Sequence, residues 1–329
     1  MIKISVIVPC FQRIDQTIKT IDLIIRSNGF DKDYQAEIIV ADSSPDDQLK
    51  KAVENKFKNK VIYTRPEKPG IATNKNQGAR IAKNPILIFC DSDMEVETDT
   101  ILNTLNALKK NRNAGAIGGQ VIWRTGPKDD TLDRPRKEDR MTTINGTTYT
   151  EAIYSRYLAT YKEVFWTVGG YDEEIFNMRG EGSDLSIRYW RAGYPLVYND
   201  SIVIHHVHQT EGGVIRGVPH PEWGIAKDLL LLAYKYNMFD GDFQNFINTT
   251  GANFSQFGQT GYYRIIQGIG KYLDFITAVK PKIDEQKKIS PVYDFKFLEI
   301  FSQKDLFNQC IQQSGEKLQF TRNFFKLSK

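Results

Sequence analysis

Residues 86–93 read Ile86-Leu87-Ile88-Phe89-Cys90-Asp91-Ser92-Asp93. An unbroken apolar run with β-branched residues predicts a strand buried on both faces of a parallel sheet. Two carboxylates follow at once, Asp91 and Asp93. If the chain stays extended, residues two apart face the same side, and an open α/β sheet binds ligands beyond the carboxyl ends of its strands. A hard divalent cation carrying a diphosphate suits paired carboxylates placed there. Such D-x-D triplets also occur as solvated loop acids, so the surrounding chain has to decide between the two.

Upstream, strand and helix patterns alternate. Residues 3–9 predict a strand stopped by Pro9, and Asp15 is placed to cap a helix running to about Asn28. Residues 37–41 predict a second strand, a helix follows to about Phe57, and residues 61–64 form a short third strand. Pro69-Gly70 opens another helix ahead of the 86–93 strand. This alternation with short connections is the signature of a doubly wound, mainly parallel α/β sheet.

Downstream come a helix at 98–111, an apolar stretch at 116–123 and a polar span at 124–148, expected to be a structureless surface loop. A helix at 183–192 and a strand at 196–205 follow. Beyond Pro221 the pattern turns helical, over 223–236, 262–280 and 304–313. The reading divides the chain into a catalytic domain at 1–215, with a nucleotide half at 1–112 and an acceptor half at 113–215, and a helical region at 216–329.

Composition narrows the class. Hydrophobic residues at 40% and charged residues at 26% are ordinary for a globular protein, and a net charge of +4 is too mild for a nucleic-acid partner. No apolar run is long enough for a transmembrane helix. The N-terminus lacks the apolar core of a signal peptide, and the three cysteines show no paired spacing; a cytoplasmic location is expected. The tail at 320–329 interleaves Phe320, Phe324, Phe325 and Leu327 with Arg322, Lys326 and Lys329. That composition suits peripheral contact with the inner face of an anionic membrane, or a helix packed on the domain.

Loops leaving strands at Pro9 to Arg13, Ala41 to Ser44 and Asp91 to Asp93 are expected on one sheet edge, with Lys75 and Asn76 aimed at it from the helix opening at Gly70. Asp42 could accept the imide N–H of a uracil, backbone near Pro9 could pair with a carbonyl, and Lys75 could meet base or phosphate. Asp42 is equally suited to an Asx turn, and Lys75 to a solvated helix face. Three of the four histidines fall at 205, 206 and 208, and imidazole is a good further ligand for a carboxylate-bound metal. His206 and His208 share a face if the strand stays extended; His205 and His208 meet if it turns. Glu181 and Asp184 start a helix three residues apart, either as functional acids or as ordinary helix-end charges.

The ordered runs ISVIVPCFQR, IIVADSS, PGIATNKNQGAR and ILIFCDSD resemble the donor half of family 2 glycosyltransferases with a GT-A fold. VGGYDEEIFNMRGEGSDLSIRYWRAGYPLVY resembles their acceptor half, in the subgroup akin to galactosyltransferases and chondroitin polymerases. The resemblance implies that Asp42 reads uracil, that Lys75 and Asn76 lie by the nucleotide, that Asp91 and Asp93 are the D-x-D, and that His205 or His208 completes the metal site. Two departures stand out. The family commonly has two acids after the second strand, where this chain has Ala41-Asp42. Its acceptor motif is E-D-x-D-L, whose first aspartate is the usual base, and that position here is Gly182.

The expectation is a metal-dependent, inverting glycosyltransferase in glycan or polysaccharide synthesis. It would use manganese or magnesium and move a sugar from a nucleotide diphosphate, a UDP-sugar, to a glycan or other hydroxyl acceptor. Asp184 is taken as the base and Glu181 as the acceptor-binding acid. A nucleotide-sugar-binding protein without catalysis is the alternative that Gly182 prompts. Sugar-phosphate nucleotidylyl transfer is another, but it would want a Gly-rich basic loop where PCFQR stands.

Overall fold

The computed structural model describes residues 1–124, 130–133, 141–207, 227–228, 230–232, 234–236 and 272–289. Strand–helix units come first: β1 (Ile2–Cys10) and α1 (Ile14–Ile25), β2 (Tyr34–Asp42) and α2 (Gln48–Phe57), β3 (Val61–Thr64) and α3 (Ile71–Ile81). Then β4 (Ile86–Cys90) passes through the short β5 (Met94–Val96) to α4 (Thr100–Lys110). There follow β6 (Ala116–Arg124), β7 (Asp130–Asp133), β8 (Met141–Ile144), β9 (Thr147–Thr150), β10 (Tyr157–Tyr161), α5 (Lys162–Thr167), α6 (Glu181–Arg191) and β11 (Leu196–Val207). Residues 227–228, 230–232 and 234–235 are helical, and α7 spans Leu273–Ile289.

The strands form one sheet in the order β3-β2-β1-β4-β10-β6-β11-β9-β8, with β5 on β11 and β7 on β6. β1 pairs in parallel with β2 and β4, and β2 with β3. Their carboxyl ends, Cys10, Asp42 and Cys90, therefore share one edge, as the alternation predicts. β10 runs antiparallel to both β4 and β6, while β6 and β11 pair in parallel. That brings the end of β11 to the same edge, where His206 lies opposite Met94 of β5.

Alternate strand residues feed two apolar layers. On one face Ile7, Ile39, Leu87 and Phe89 pack with Ala72 and Ala79 of α3 and with Phe165, Tyr171 and Trp190. On the other, Val6, Val8, Ile38, Val40, Ile86 and Ile88 pack with Ile21, Leu49, Val53 and Leu105 of the helices. β4 is buried throughout, as its unbroken apolar run requires. α3 lies so close to β1 that a Cβ on Gly78 would stand 2.4 Å from the Ile7 side chain.

Three expectations are corrected. The 124–148 span is not structureless: it carries β7 and the β8–β9 hairpin, closed by Asn145 and Gly146 at φ +50° and +74°. Asn-Gly with both residues at positive φ is the preferred two-residue hairpin turn, and its Thr-rich flanks suit strands. Asp15 lies in the first turn of α1, and Arg13 takes the N-cap position. α7 runs through Pro281 instead of stopping at Lys280; Thr277, whose carbonyl loses its helical donor there, is exposed to water. The helix expected at 304–313 and the tail at 320–329 lie outside the described residues, as do 208–226 and 237–271.

The β6–β11 seam has no slack. A Cβ on Gly119 would lie 2.2 Å from the Ile202 carbonyl oxygen, a backbone atom that cannot rotate away. Gly119→Ala is therefore expected to destabilise by about 1–3 kcal/mol, the usual cost of overpacking, and to lower the thermal midpoint accordingly. An unchanged midpoint would contradict this register.

Candidate active site

The D-x-D segment leaves β4 as a turn, with the Met94 N–H donating to the Asp91 carbonyl at 3.1 Å. Neighbouring chains fix it: Asp91 N–H donates to the Arg156 carbonyl at 2.8 Å, and Val207 N–H to the Asp93 carbonyl at 3.0 Å. The buried Thr20 hydroxyl reaches the carbonyls of Ser92 and Met94 at 3.0 and 2.9 Å. Because the segment is turned and not extended, the two carboxylates have different partners.

Asp91 faces Lys75. The fully buried ammonium lies 3.1 Å from Asp91 Oδ1 and 3.5 Å from Glu181 Oε1, and donates to the Ser155 carbonyl at 2.7 Å. Asp91 keeps a fifth of its side chain exposed, while its Oδ1 is buried in an ion-pair contact that is not aligned as a hydrogen bond. Burial pushes Asp91 up to about 6; Lys75 opposes this, and the Asp93 and Glu181 charges add to it. Glu181 also accepts from the Ser155 hydroxyl at 2.5 Å.

Asp93 has other partners. Arg13 forms an ion pair with Oδ2, and His206 Nε2 lies 3.2 Å from the same oxygen. Burial alone would raise Asp93, but His206, Arg13 and Arg156 hold it below its ordinary value. The histidine expectation is corrected here: β11 stays extended to Val207, so His206 points to the D-x-D and His205 turns away to Glu97 at 3.0 Å. His208 lies outside the described residues.

Asp42 ends β2 with its side chain fully buried. Oδ1 accepts from the Ser44 N–H at 2.8 Å and the Ser44 hydroxyl at 2.6 Å, and Oδ2 accepts from Tyr63 at 2.8 Å. This is the Asx turn the sequence allowed. Arg65 stands 3.9 Å off, so Oδ2 retains acceptor capacity for one more donor. Pro9 is buried in β1 opposite Ala41, and the next carbonyl, Cys10, accepts from Asn74 at 3.0 Å and Ser43 at 3.1 Å. Asn76, expected beside the nucleotide, instead clamps the acceptor half. It donates to the Tyr171 carbonyl at 2.8 Å and to Glu173 at 2.6 Å, and accepts from Tyr171 N–H at 2.9 Å. Asn74, two residues earlier, is the side chain that reaches the β1 edge, at the Cys10 carbonyl.

Asp184 does not have the surroundings of a base. Oδ2 takes both Arg188 Nε at 2.8 Å and its terminal nitrogen at 2.7 Å; Oδ1 takes Lys235 at 2.8 Å and Tyr236 at 2.7 Å. Each oxygen thus accepts one hydrogen bond, from Arg188 Nε or Tyr236, and meets a second cationic nitrogen as an ion pair. Despite complete burial, Arg188 and Lys235 hold the carboxyl down at about 2. Gly182 has its own reason: a Cβ there would meet Ser155 Cβ at 2.9 Å, so the hydroxyl that holds Glu181 occupies the space of a side chain at 182.

Among the described residues, no group of three His, Cys, Asp or Glu side chains is close enough to cage a metal. The donor types nonetheless fit a hard cation. Asp91 offers a buried oxygen without a hydrogen bond, and Asp93 and His206 already meet around one point. Cations of this kind are commonly bound by one or two carboxylates completed by substrate phosphates.

The structure thus brings together Asp91, Asp93, Lys75, Glu181 and His206, keeps Asp42 at the far end of the same edge, and moves Asn76, Asp184 and His205 away from it. Sequence reading missed Arg13, Asn74, Tyr63 and Ser155. Asn74 carried a signal, one turn position from Lys75 on the same helix; Ser155 carried none.

The glycosyl transferase family 2 model matches residues 5–169. The uncharacterized glycosyltransferase YfnE of Bacillus subtilis (strain 168) is 31% identical over 124 residues, covering 37% of this chain and 30% of its own. Polypeptide N-acetylgalactosaminyltransferase 6 of Bos taurus is 24% identical over 204 residues, covering 53% of this chain and 32% of its own. The chain thus spans about a third of the length of these relatives. Among solved structures, GalNAc-T7 with UDP, GalNAc and Mn2+ superposes with a TM-score of 0.56 at 16% identity, covering 83% of this chain and 57% of that one. S. aureus TarS 1-349 in complex with UDP-GlcNAc does so with a TM-score of 0.57 at 12% identity, covering 100% and 93%.

Asp184 yields a stability prediction. Its carboxyl is depressed from 3.8 to about 2, so it contributes about 2 kcal/mol. That contribution is present above pH 4 and is lost as pH falls through about 2. Asp184→Asn breaks a buried ion pair, a change that costs about 3–5 kcal/mol. Urea unfolding at pH 7 is expected to show that loss, with a much smaller one for Glu54→Gln, an exposed carboxylate of α2. Equal, small losses would remove Asp184 from its structural role.

Proposed function

The chain belongs to glycosyl transferase family 2 and has the GT-A fold; from that premise we propose that it moves a sugar from a UDP-sugar to a hydroxyl acceptor, with inversion and with a divalent cation. The observation that carries this reading is the Lys75 ammonium, which joins a D-x-D carboxylate to Glu181 of the acceptor motif in one buried cluster. Donor and acceptor machinery therefore meet at one point. Asp42, held as an acceptor by Ser44 and Tyr63, favours a base that presents an imide N–H, as uracil does, over cytosine with a bare ring nitrogen there. The two solved structures named above contain UDP or a UDP-sugar, which supports the same donor.

Asp91, Asp93 and His206 would hold the cation, which supplies Lewis-acid stabilisation of the departing diphosphate. Glu181 takes the acceptor proton in place of Asp184, since its carboxylate borders the cleft cluster while that of Asp184 is fully engaged. The acceptor oxygen forms a bond to the anomeric carbon, the bond from that carbon to the phosphate oxygen breaks, UDP leaves, and the proton resides on Glu181. Lys75 ties Glu181 to Asp91 in one buried cluster.

Gly182 favours one other reading, a binding protein without turnover. Transfer or hydrolysis of a UDP-sugar with manganese present separates the two: binding without any turnover would defeat the enzyme reading. The membrane contact expected of the 320–329 tail, and a cytoplasmic location, rest on composition alone.

Glu181→Gln is expected to reduce turnover by about 10²–10⁴, the usual worth of general-base assistance, with donor affinity kept. Turnover near wild type in the folded variant would remove Glu181 as base. For the cation, Asp93→Ala is expected to abolish manganese-dependent UDP binding in calorimetry, and His206→Ala to weaken it more than His205→Ala. The reverse order for the histidines would overturn their assignment.

A further inference from the structure

Arg13 was singled out by no motif, yet its guanidinium occupies the Asp93 oxygen that His206 also approaches. Its placement is built in. Arg13 is the N-cap residue of α1, and its carbonyl accepts the Thr17 N–H at 3.0 Å. The preceding residue, Gln12, adopts φ +52° and donates its N–H to Ser44 Oγ at 2.8 Å. A non-glycine residue at positive φ is uncommon and persists where the surroundings over-determine it. Ser44 is also the residue that fixes Asp42, so one anchor holds both the base-reading carboxylate and the loop that delivers Arg13.

Charge balance gives this placement a consequence. Around the D-x-D, the carboxylates of Asp91, Asp93 and Glu181 face the cationic side chains of Arg13, Lys75 and Arg156. Three carboxylates thus stand against three cationic side chains. A divalent cation arriving alone at that Asp93 oxygen competes with Arg13 and leaves a guanidinium beside it, a like-charge contact in a partly buried site. A cation arriving with a diphosphate brings anionic oxygens to which the displaced guanidinium can pair, in the geometry that arginine and phosphate favour.

We propose that Arg13 is an internal counter-ion for Asp93 that makes cation binding conditional on the donor diphosphate. The inference rests on the metal-dependent reading above and adds to it an order: the site takes the cation and the diphosphate together. Arg13 acts here as a positioning residue for the ligand set. The coupling is reciprocal, so manganese tightens UDP by the factor by which UDP tightens manganese.

The test is direct titration of the full chain with Mn2+, reading free metal by electron paramagnetic resonance, with and without UDP, for the wild type, Arg13→Met and Arg13→Lys. Methionine keeps the stem and removes the charge; lysine keeps the charge. The wild type is expected to bind Mn2+ weakly alone and at least fivefold more tightly with UDP, within the usual range of about 5–150-fold for coupled sites. Arg13→Met is expected to bind Mn2+ alone about fivefold or more tighter than wild type, with the effect of UDP reduced. Arg13→Lys is expected to keep the wild-type pattern. Mn2+ affinity in folded Arg13→Met that is unchanged or weaker overturns the inference while leaving the metal site standing. Equal Mn2+ affinity with and without UDP in the wild type overturns it without any variant. Absence of Mn2+ binding to every protein even with UDP is a different failure, that of the metal-dependent reading itself.

Discussion

A fully buried ammonium sets the terms for this site. Lys75 has no water to solvate it, so its charge must be met by protein, and it is met from both halves of the chain: Asp91 at the end of β4, Glu181 at the start of α6 and the Ser155 carbonyl between them. A buried ion pair is weak evidence of net stability, but removing one member is costly because the others are left uncompensated. The cluster therefore constrains geometry more than it adds stability. α3 must present Lys75 where the D-x-D turn and the acceptor helix converge, and the chain supports α3 for that task. Asn177 accepts the Thr73 N–H and hydroxyl at 3.1 and 2.8 Å, and Asn76 clamps Tyr171. A Cβ on Gly70 would fall 2.0 Å from the Asn177 side chain, which explains glycine at the entrance to the helix.

The strand–helix units of residues 2–110 were legible because their signals are local. Apolar runs, caps and short connections repeat along the chain, and the parallel topology that follows from them puts Asp42, Asp91 and Asp93 on one edge without knowledge of any long-range contact. The hairpin at 141–150 was equally local, but its polar Thr-rich strands lack the apolar alternation that usually announces a sheet, and its Asn145-Gly146 turn was overlooked. What sequence spacing could not convey was parity. Whether His205 or His206 faces the D-x-D depends on the irregularity in β11 between Tyr198 and Val203, where the register against β6 shifts by three residues, and an odd shift reverses every side chain after it.

The two acids of the acceptor motif show a different limit. Their spacing correctly puts Glu181 and Asp184 on one stretch of α6, and nothing within that helix separates a base from a structural anion. The separation comes from residues far along the chain. Lys235 and Tyr236 close over Asp184 from the C-terminal side, and Lys235 also bridges to Asp172 at 2.8 Å. Ser155 and Lys75 claim Glu181 from the other direction. The acid that is better fixed is fixed by its ion pairs and hydrogen bonds to Arg188, Lys235 and Tyr236; rigidity and availability are separate properties.

Gly182 then reads as part of the same arrangement. In the resembled motif that position carries a carboxylate, and here Ser155 stands 2.9 Å from where its Cβ would be. A carboxylate at 182 could be accommodated only if Ser155 withdrew, and withdrawal would take the hydroxyl from Glu181 and shift the backbone whose carbonyl meets Lys75. Glycine at 182 and the Ser155 hydroxyl on Glu181 thus go together sterically. Of the motif's acids Glu181 and Asp184 remain, and Glu181 is tied through Lys75 to the carboxylate that follows β4.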